Sequence, residues 1–292
     1  MVGKEKATAM TLAPMKFHLL KVGHCTHPEC VAMRGGRWSN IIFPALCGLI
    51  QHPTRGWILF DTGYSSHFFD ATDTFPERMY RWLTPFTLPA AETMLAQLAA
   101  LGIGADDISY VLISHMHGDH ISGIKDFPKA RFITMRAEHE AMHKKSRLGG
   151  LMHAFLPALM PSDFETRVLF AEDAREVKLP SEFRPFESGF DLFGDGSVIG
   201  VPLPGHSRGQ MGVVFRQADD RLIFMVADAC WSKAGLLRNQ GPTWIASRIF
   251  DSVGNYRRTF NNLQHLAVRP EAPVLIPSHC EQTWKEFGNE PR

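Results

Sequence analysis

Four side chains able to hold a metal ion lie within six consecutive residues: His115, His117, Asp119 and His120. They follow directly on the apolar run Tyr110-Val111-Leu112-Ile113, which reads as a buried strand. A continued strand would send alternate side chains to opposite faces, but the embedded Gly118 predicts that the chain turns here. In such a turn His115 and His117 address one point in space, and Asp119 and His120 a point beside it. Imidazole and carboxylate are sound ligands for Zn²⁺, Fe²⁺ or Mn²⁺. Four polar groups at the end of one buried strand are costly to keep unless they are paired or metal-bound.

Three further residues stand in the same kind of place, each closing a buried segment: His206, Asp228 and His279. Five histidines and two aspartates exceed the three or four protein ligands of one tetrahedral ion. They suit two divalent ions that share a carboxylate and a bridging hydroxide. Zinc is the first expectation, with iron, manganese and cobalt compatible. The five cysteines, Cys25, Cys30, Cys47, Cys230 and Cys280, are too scattered for a disulfide scaffold or a Cys₄ or Cys₂His₂ zinc site. Their odd number points to a reducing compartment, so the expected location is the cytoplasm. His139 and His143, four apart on a predicted helix, read as surface residues beside Lys144 and Lys145.

The elements that must position these residues can be read in outline. Strands are expected over Lys16–Val22, Asn40–Ile50 and Gly56–Phe60, the last ending at Asp61-Thr62-Gly63. Residues 64–89 carry aromatic side chains and prolines without periodicity, and read as a partly helical excursion forming a lid over a cleft or a homodimer contact. Ala90–Leu101 is rich in helix formers and is closed by Gly102. A strand over Arg131–Met135 precedes a helix from Ala137 to Arg147, and residues 151–165 are expected to be helical between their prolines. In the second half, short strands near 167–170 and 175–179 lead to strands at 198–202, Met211–Phe215 and Leu222–Ala227. A helix over Val253–Leu266 and a final strand at Val274–Ile276 complete the pattern, which fits two sheets covered by helices. Residues 1–15 read as an extension, and residues 16–292 as one domain.

Composition narrows the partners. With 31 basic and 30 acidic residues the formal charge is +1, which gives no electrostatic reason to expect nucleic acid or an anionic membrane. The longest apolar stretches, such as Ile41–Ile50, stop near ten residues, where a membrane span needs about 20. The amino terminus has a short basic start without an apolar core, unlike a secretory signal.

The run Ser114-His115-Met116-His117-Gly118-Asp119-His120 resembles the signature of the metallo-β-lactamase superfamily. Leu59-Phe60-Asp61-Thr62-Gly63 resembles its upstream strand and turn, and the likeness extends from residue 16 to about 287. The resemblance implies an α/β fold, an αββα sandwich of two mixed sheets packed face to face with helices outside and the metals at one edge. It further implies that His115, His117 and His206 hold one metal, that Asp119, His120 and His279 hold the other, that Asp228 bridges them, and that Asp61 orients a ligand histidine.

Within the family, the true β-lactamases place a cysteine where this chain has Asp228, the flavodiiron proteins need a flavodoxin domain, and RNA-cleaving members carry an extra domain and a basic surface. Chain length, the complete ligand set and the step from His206 to Asp228 resemble the N-acyl-homoserine lactone lactonases. Those enzymes place a tyrosine three residues after the bridging aspartate, and here that position is Trp231. Its indole offers one N–H and is read as a pocket wall with an N–H contact, or as a plain core residue.

The expected activity is opening of a lactone or related ester, with an N-acyl-homoserine lactone as the specific substrate, by attack of a metal-bridging hydroxide. Asp119 is the expected catalytic residue, orienting the nucleophile and relaying a proton. Arg208 reads as a contact for an anionic group or as a solvated side chain. A phosphotriester or phosphodiester hydrolase is the main rival, with thioesterase and β-lactam hydrolysis behind it.

Overall fold

The central strands of both sheets are apolar on both faces, because each has the other sheet on one side and a second core on its other side. In a computed structural model that describes residues 13–288, thirteen strands form a curled, mixed sheet folded into two layers. The first layer holds β1 (Pro14–Pro28), β2 (Asn40–His52), β3 (Gly56–Phe60), the short β4 (Phe86–Thr87), β5 (Ile108–Leu112), β6 (Arg131–Thr134) and β7 (Val168–Phe170). The second holds β8 (Arg175–Lys178), β9 (Ser188–Asp191), β10 (Val198–Pro202), β11 (Met211–Gln217), β12 (Leu222–Ala227) and β13 (Val274–Pro277). Strands β3, β5, β6 and β7 run parallel in sequence, as do β12 and β13, whereas β1–β2–β3 and β8 to β12 are antiparallel.

Alternation along the strands sorts the side chains into three cores. Ile58 and Phe60 on β3, Leu112 on β5, Val213 and Phe215 on β11, and Ile223 and Met225 on β12 meet in the layer between the sheets. The residues between them point the other way, beneath helices. Leu59 and Val111 join the core under the first sheet, and Val214, Phe224 and Val226 the core under the second. This is the αββα sandwich expected from the sequence. The two sheets approach closely at Gly48 on β2, where a Cβ would lie 2.5 Å from the Met225 sulfur.

Strand β1 belongs to both layers. Lys16 to Pro28 pair antiparallel with β2, while Pro14 and Met15 run parallel to Arg216 and Gln217 of β11. The expected extension therefore lies outside the described residues through residue 12, and Pro14 and Met15 are already strand.

The helix Val253–Ala267 shows how sequence builds the outer layers. Tyr256, Phe260, Leu263 and Leu266 recur at three- and four-residue spacing and are buried, and the Ser252 hydroxyl caps the first turn by accepting from the Asn255 N–H. The single helix expected over Ala90–Leu101 is broken. Thr93 takes an extended conformation and caps a helix Met94–Ala100 with its hydroxyl. Residues 151–165 are mostly irregular, with helix only at Phe164–Arg167 and a short 3₁₀ turn at Pro157–Leu159, because Pro157 and Pro161 remove backbone donors. A terminal helix, Glu281–Phe287, had no counterpart in the sequence reading. No helix among the described residues is long and apolar enough to cross a membrane.

Candidate metal centre

All seven side chains singled out in the sequence converge at one end of the sandwich, in the segments that follow β5, β10, β12 and β13, with Asp119 and His120 on the one-turn helix Gly118–Ile121. β3 ends at Asp61, whose φ of 60° turns the chain sharply. One carboxylate oxygen of Asp61 accepts the Ser114 N–H at 2.8 Å, and the other accepts the Ser114 hydroxyl and faces His120 Nδ1, both at 2.7 Å. The turn after β5 is thereby fixed to the turn after β3. Thr62 adds to this by donating its N–H and hydroxyl to the His120 carbonyl. Gly118 is required because the excursion packs on it: a Cβ there would meet the Phe68 ring at 2.7 Å.

Outer partners engage one nitrogen of several imidazoles and leave the other facing the centre. Asp61 holds His120 Nδ1, the Ser114 hydroxyl meets His115 Nδ1 at 2.9 Å, and the Pro44 carbonyl accepts from His279 Nδ1 at 2.9 Å. His115 Nε2, His120 Nε2, His206 Nδ1 and Asp228 Oδ1 are buried without a hydrogen-bond partner. Polar atoms are rarely left so. Asp228 follows Ala227, itself at φ 48°, and stands between the histidines: Oδ1 is 3.2 Å from His279 Nε2 and 3.3 Å from His120 Nε2, and Oδ2 is 3.2 Å from His206 Nε2. Asp119 Oδ2 lies 3.4 Å from His279 Nε2.

Three groups of donor atoms each fit within 4.8 Å: His115, His117 and His206; His115, His120 and Asp228; and Asp119, His120 and His279. Orphaned nitrogens and crowded carboxylates of this kind fit a pair of divalent cations.

The electrostatics agree with that chemistry. Burial holds His115 and His206 well below the ordinary histidine value and takes His117 down to about 4, so these rings are neutral and ready to coordinate. Burial also opposes charge on His120 and His279, but the facing carboxylates outweigh it and raise both. Asp228 is held well below the carboxylate range, its burial overcome by His279, His206 and His120. The carboxylates attract positive charge to this spot.

Two residues emerge with contacts that the sequence did not disclose. Trp231 lines the cavity wall, but its one N–H donates to Asp228 Oδ2 at 2.9 Å, so that donor is already engaged. Glu138 is fully buried on the helix Arg136–His143 and receives three donors: the Met116 N–H at 3.0 Å, the Gly209 N–H at 3.0 Å and the Ser207 hydroxyl at 2.5 Å. It clamps the loop carrying His115 and His117 to the loop carrying His206. Gly209 was the available signal, since a Cβ there would fall 2.2 Å from the Glu138 nitrogen. Arg208 pairs with Asp251 at 3.0 Å.

The centre opens into a cavity of about 420 Å³. Its walls are largely apolar, with Phe43, Leu151 and Ile249 among them, and His117, Asp119, His206, Asp228 and His279 lie at its floor. Met79, Leu83 and Thr84 bring the 64–89 excursion to its mouth, and Tyr80 lines it deeper, against Gly118 and Phe68.

Fold and centre together define the class, and the chain belongs to the metallo-beta-lactamase superfamily, whose family model matches residues 41–225. Among curated relatives, it is 27% identical over 264 residues to the N-acyl homoserine lactonase AttM of Azorhizobium caulinodans, covering 89% of this chain and 91% of that protein. It is 25% identical over 243 residues to the N-acyl homoserine lactonase AiiB of Agrobacterium fabrum, covering 83% and 82% of the two chains. The solved structure of an N-acyl homoserine lactone hydrolase with N-hexanoyl-L-homoserine at its catalytic metal centre shares the fold, with a TM-score of 0.66 and 17% identity over 94% of this chain and 97% of that one.

Proposed function

We propose that this chain is a metal-dependent hydrolase that opens the ring of N-acyl-homoserine lactones carrying long apolar acyl chains. The observation that carries the reading is a cluster of seven side chains able to bind metal, five of which line an apolar cavity of about 420 Å³. The lactonase relatives, matched over most of their length, support it.

His115, His117 and His206 would hold one divalent ion and Asp119, His120 and His279 the other, with Asp228 between them; zinc suits this donor set. Such ions, when bound, acidify water and polarise a carbonyl oxygen. The remaining work falls to the chain. Asp119 is the one partly exposed carboxylate at the centre, and it orients the attacking water and takes its proton. Water adds to the lactone carbonyl, the ring C–O bond breaks, and the proton held at Asp119 passes to the departing alkoxide. The product acid ionises, releasing one proton per turnover.

The acyl chain follows the cavity outward, where Met79, Leu83, Leu148, Met152 and Ile245 are 46–71% exposed around its mouth. Covering such side chains contributes about 25 cal/mol per Å². The 64–89 excursion would act as a lid here.

The test is proton release during ring opening of homoserine lactones with medium and long acyl chains, followed by pH-stat. The expected result is turnover that improves with chain length and is lost in Asp119→Asn and in metal-stripped enzyme. An inert metal-loaded enzyme would overturn the lactonase reading, and phosphotriester, aryl ester and thioester substrates would then be compared.

A further inference from the structure

The helix Arg136–His143 has two working faces. Inward, Glu138 clamps the two histidine loops, and outward, His139 and His143 stand one turn apart. We propose that His139, His143 and Glu165 form a separate site for a transition-metal dication such as Zn²⁺, Ni²⁺ or Cu²⁺, on the outer side of the helix that braces the main centre.

His139 Nε2 is 2.9 Å and His143 Nδ1 is 4.0 Å from the same Glu165 oxygen, and all three donor atoms lie within 4.8 Å of one another. Tetrahedral zinc with bonds of about 2.0–2.2 Å spaces its ligands roughly 3.3–3.6 Å apart. The two contacts bracket that spacing, and the exposed His143 and Glu165 side chains can close the difference by rotation. His139 is already oriented, its ring stacked over Phe164 at 6.1 Å and 15° and set against Phe170 at 5.4 Å. All three donors line one cavity of about 270 Å³, which leaves room for the ion and for water ligands. Two imidazoles with one carboxylate favour borderline metals over Mg²⁺ or Ca²⁺. Lys145 on the same wall opposes the ion by charge, so affinity rests on the imidazoles.

An ion here ties the helix Arg136–His143 to the helix Phe164–Arg167 and stiffens the mounting of Glu138. The test uses holoenzyme with its main centre filled, titrated with Zn²⁺ against a chromophoric chelator. Wild type is expected to bind one further equivalent that His143→Gln binds at least tenfold more weakly, as does Glu165→Gln. Catalytic turnover should be equal in all three. Added zinc should also raise the unfolding midpoint of wild type more than that of either variant. Equal stoichiometry and affinity in wild type and His143→Gln would overturn the proposal. So would equal midpoint shifts. The comparison reads a difference between chains sharing one main centre, so it stands apart from how many ions that centre holds.

Discussion

The Trp231 indole is committed to Asp228, so its removal acts on the carboxylate before it acts on any substrate. Trp231→Phe keeps a ring against His206 and Phe250 but deletes the donor to Asp228 Oδ2. The expected outcome is roughly a 10–100-fold loss in affinity for the ion beside His206, read by chelator competition. Glu138→Gln sets an amide nitrogen among three donors and leaves at least one of them unsatisfied. A loss of about 1–3 kcal/mol is expected in denaturant unfolding, with faster loss of metal from the folded enzyme. These two residues mark where the sequence stops being readable. His115, His117, Asp119, His120, His206, Asp228 and His279 were legible because each closes an apolar strand or stands in a glycine turn, where a polar side chain has few structural reasons to be. The three donors to Glu138 come from two backbone amides and a hydroxyl of distant loops, and Gly209 is the one trace of them in the residue pattern.

Between elements, the excursion is tethered to the helix Arg147–Leu151 by one bidentate pair. Arg147 Nε and Nη2 reach the Glu77 carboxylate at 2.5 and 2.6 Å, and Nη2 also donates to the Phe75 carbonyl at 2.9 Å. Arg147 holds the Glu77 carboxyl below the ordinary glutamate value of 4.5. A depressed native pKa stabilises the fold above the unfolded value, and the contribution is lost as pH falls through the native one. Glu77→Gln should therefore flatten the fall of the unfolding midpoint as pH drops below about 4.5, and the variant and wild type should converge once the carboxyl is protonated in both states. It should also raise KM for long-chain substrates, since both tethered segments border the cavity. The excursion was recognisable as partly helical, but the bounds of its two helices, Ser66–Ala71 and Arg78–Leu83, were not, because the packing of Phe68 and Tyr80 over Gly118 decides them rather than any periodicity. The break at Thr93 escaped for a related reason. A threonine flanked by helix formers gives no sign that its hydroxyl will cap the next turn.

For the molecule as a whole, the sandwich was foreseeable because strands followed by helices, with hairpins between, fit two covered sheets, and the run Ser114–His120 resembles a family with that fold. The closeness of the two sheets was not, since it depends on Gly48 meeting Met225 from the opposite layer. Gly48→Val should cost about 1–3 kcal/mol by overpacking, measured by denaturant unfolding with the metals in place. The double membership of β1 also sets a timetable for biosynthesis. Pro14 is made some 200 residues before its partner Arg216, roughly 10–40 s at 5–20 residues per second. His115, His117, Asp119 and His120 are translated within that interval and wait for Asp228 and His279, which follow Arg216. The seven side chains can therefore come together only once His279 has been made, so a centre that holds two ions would be completed late rather than on the early nascent chain.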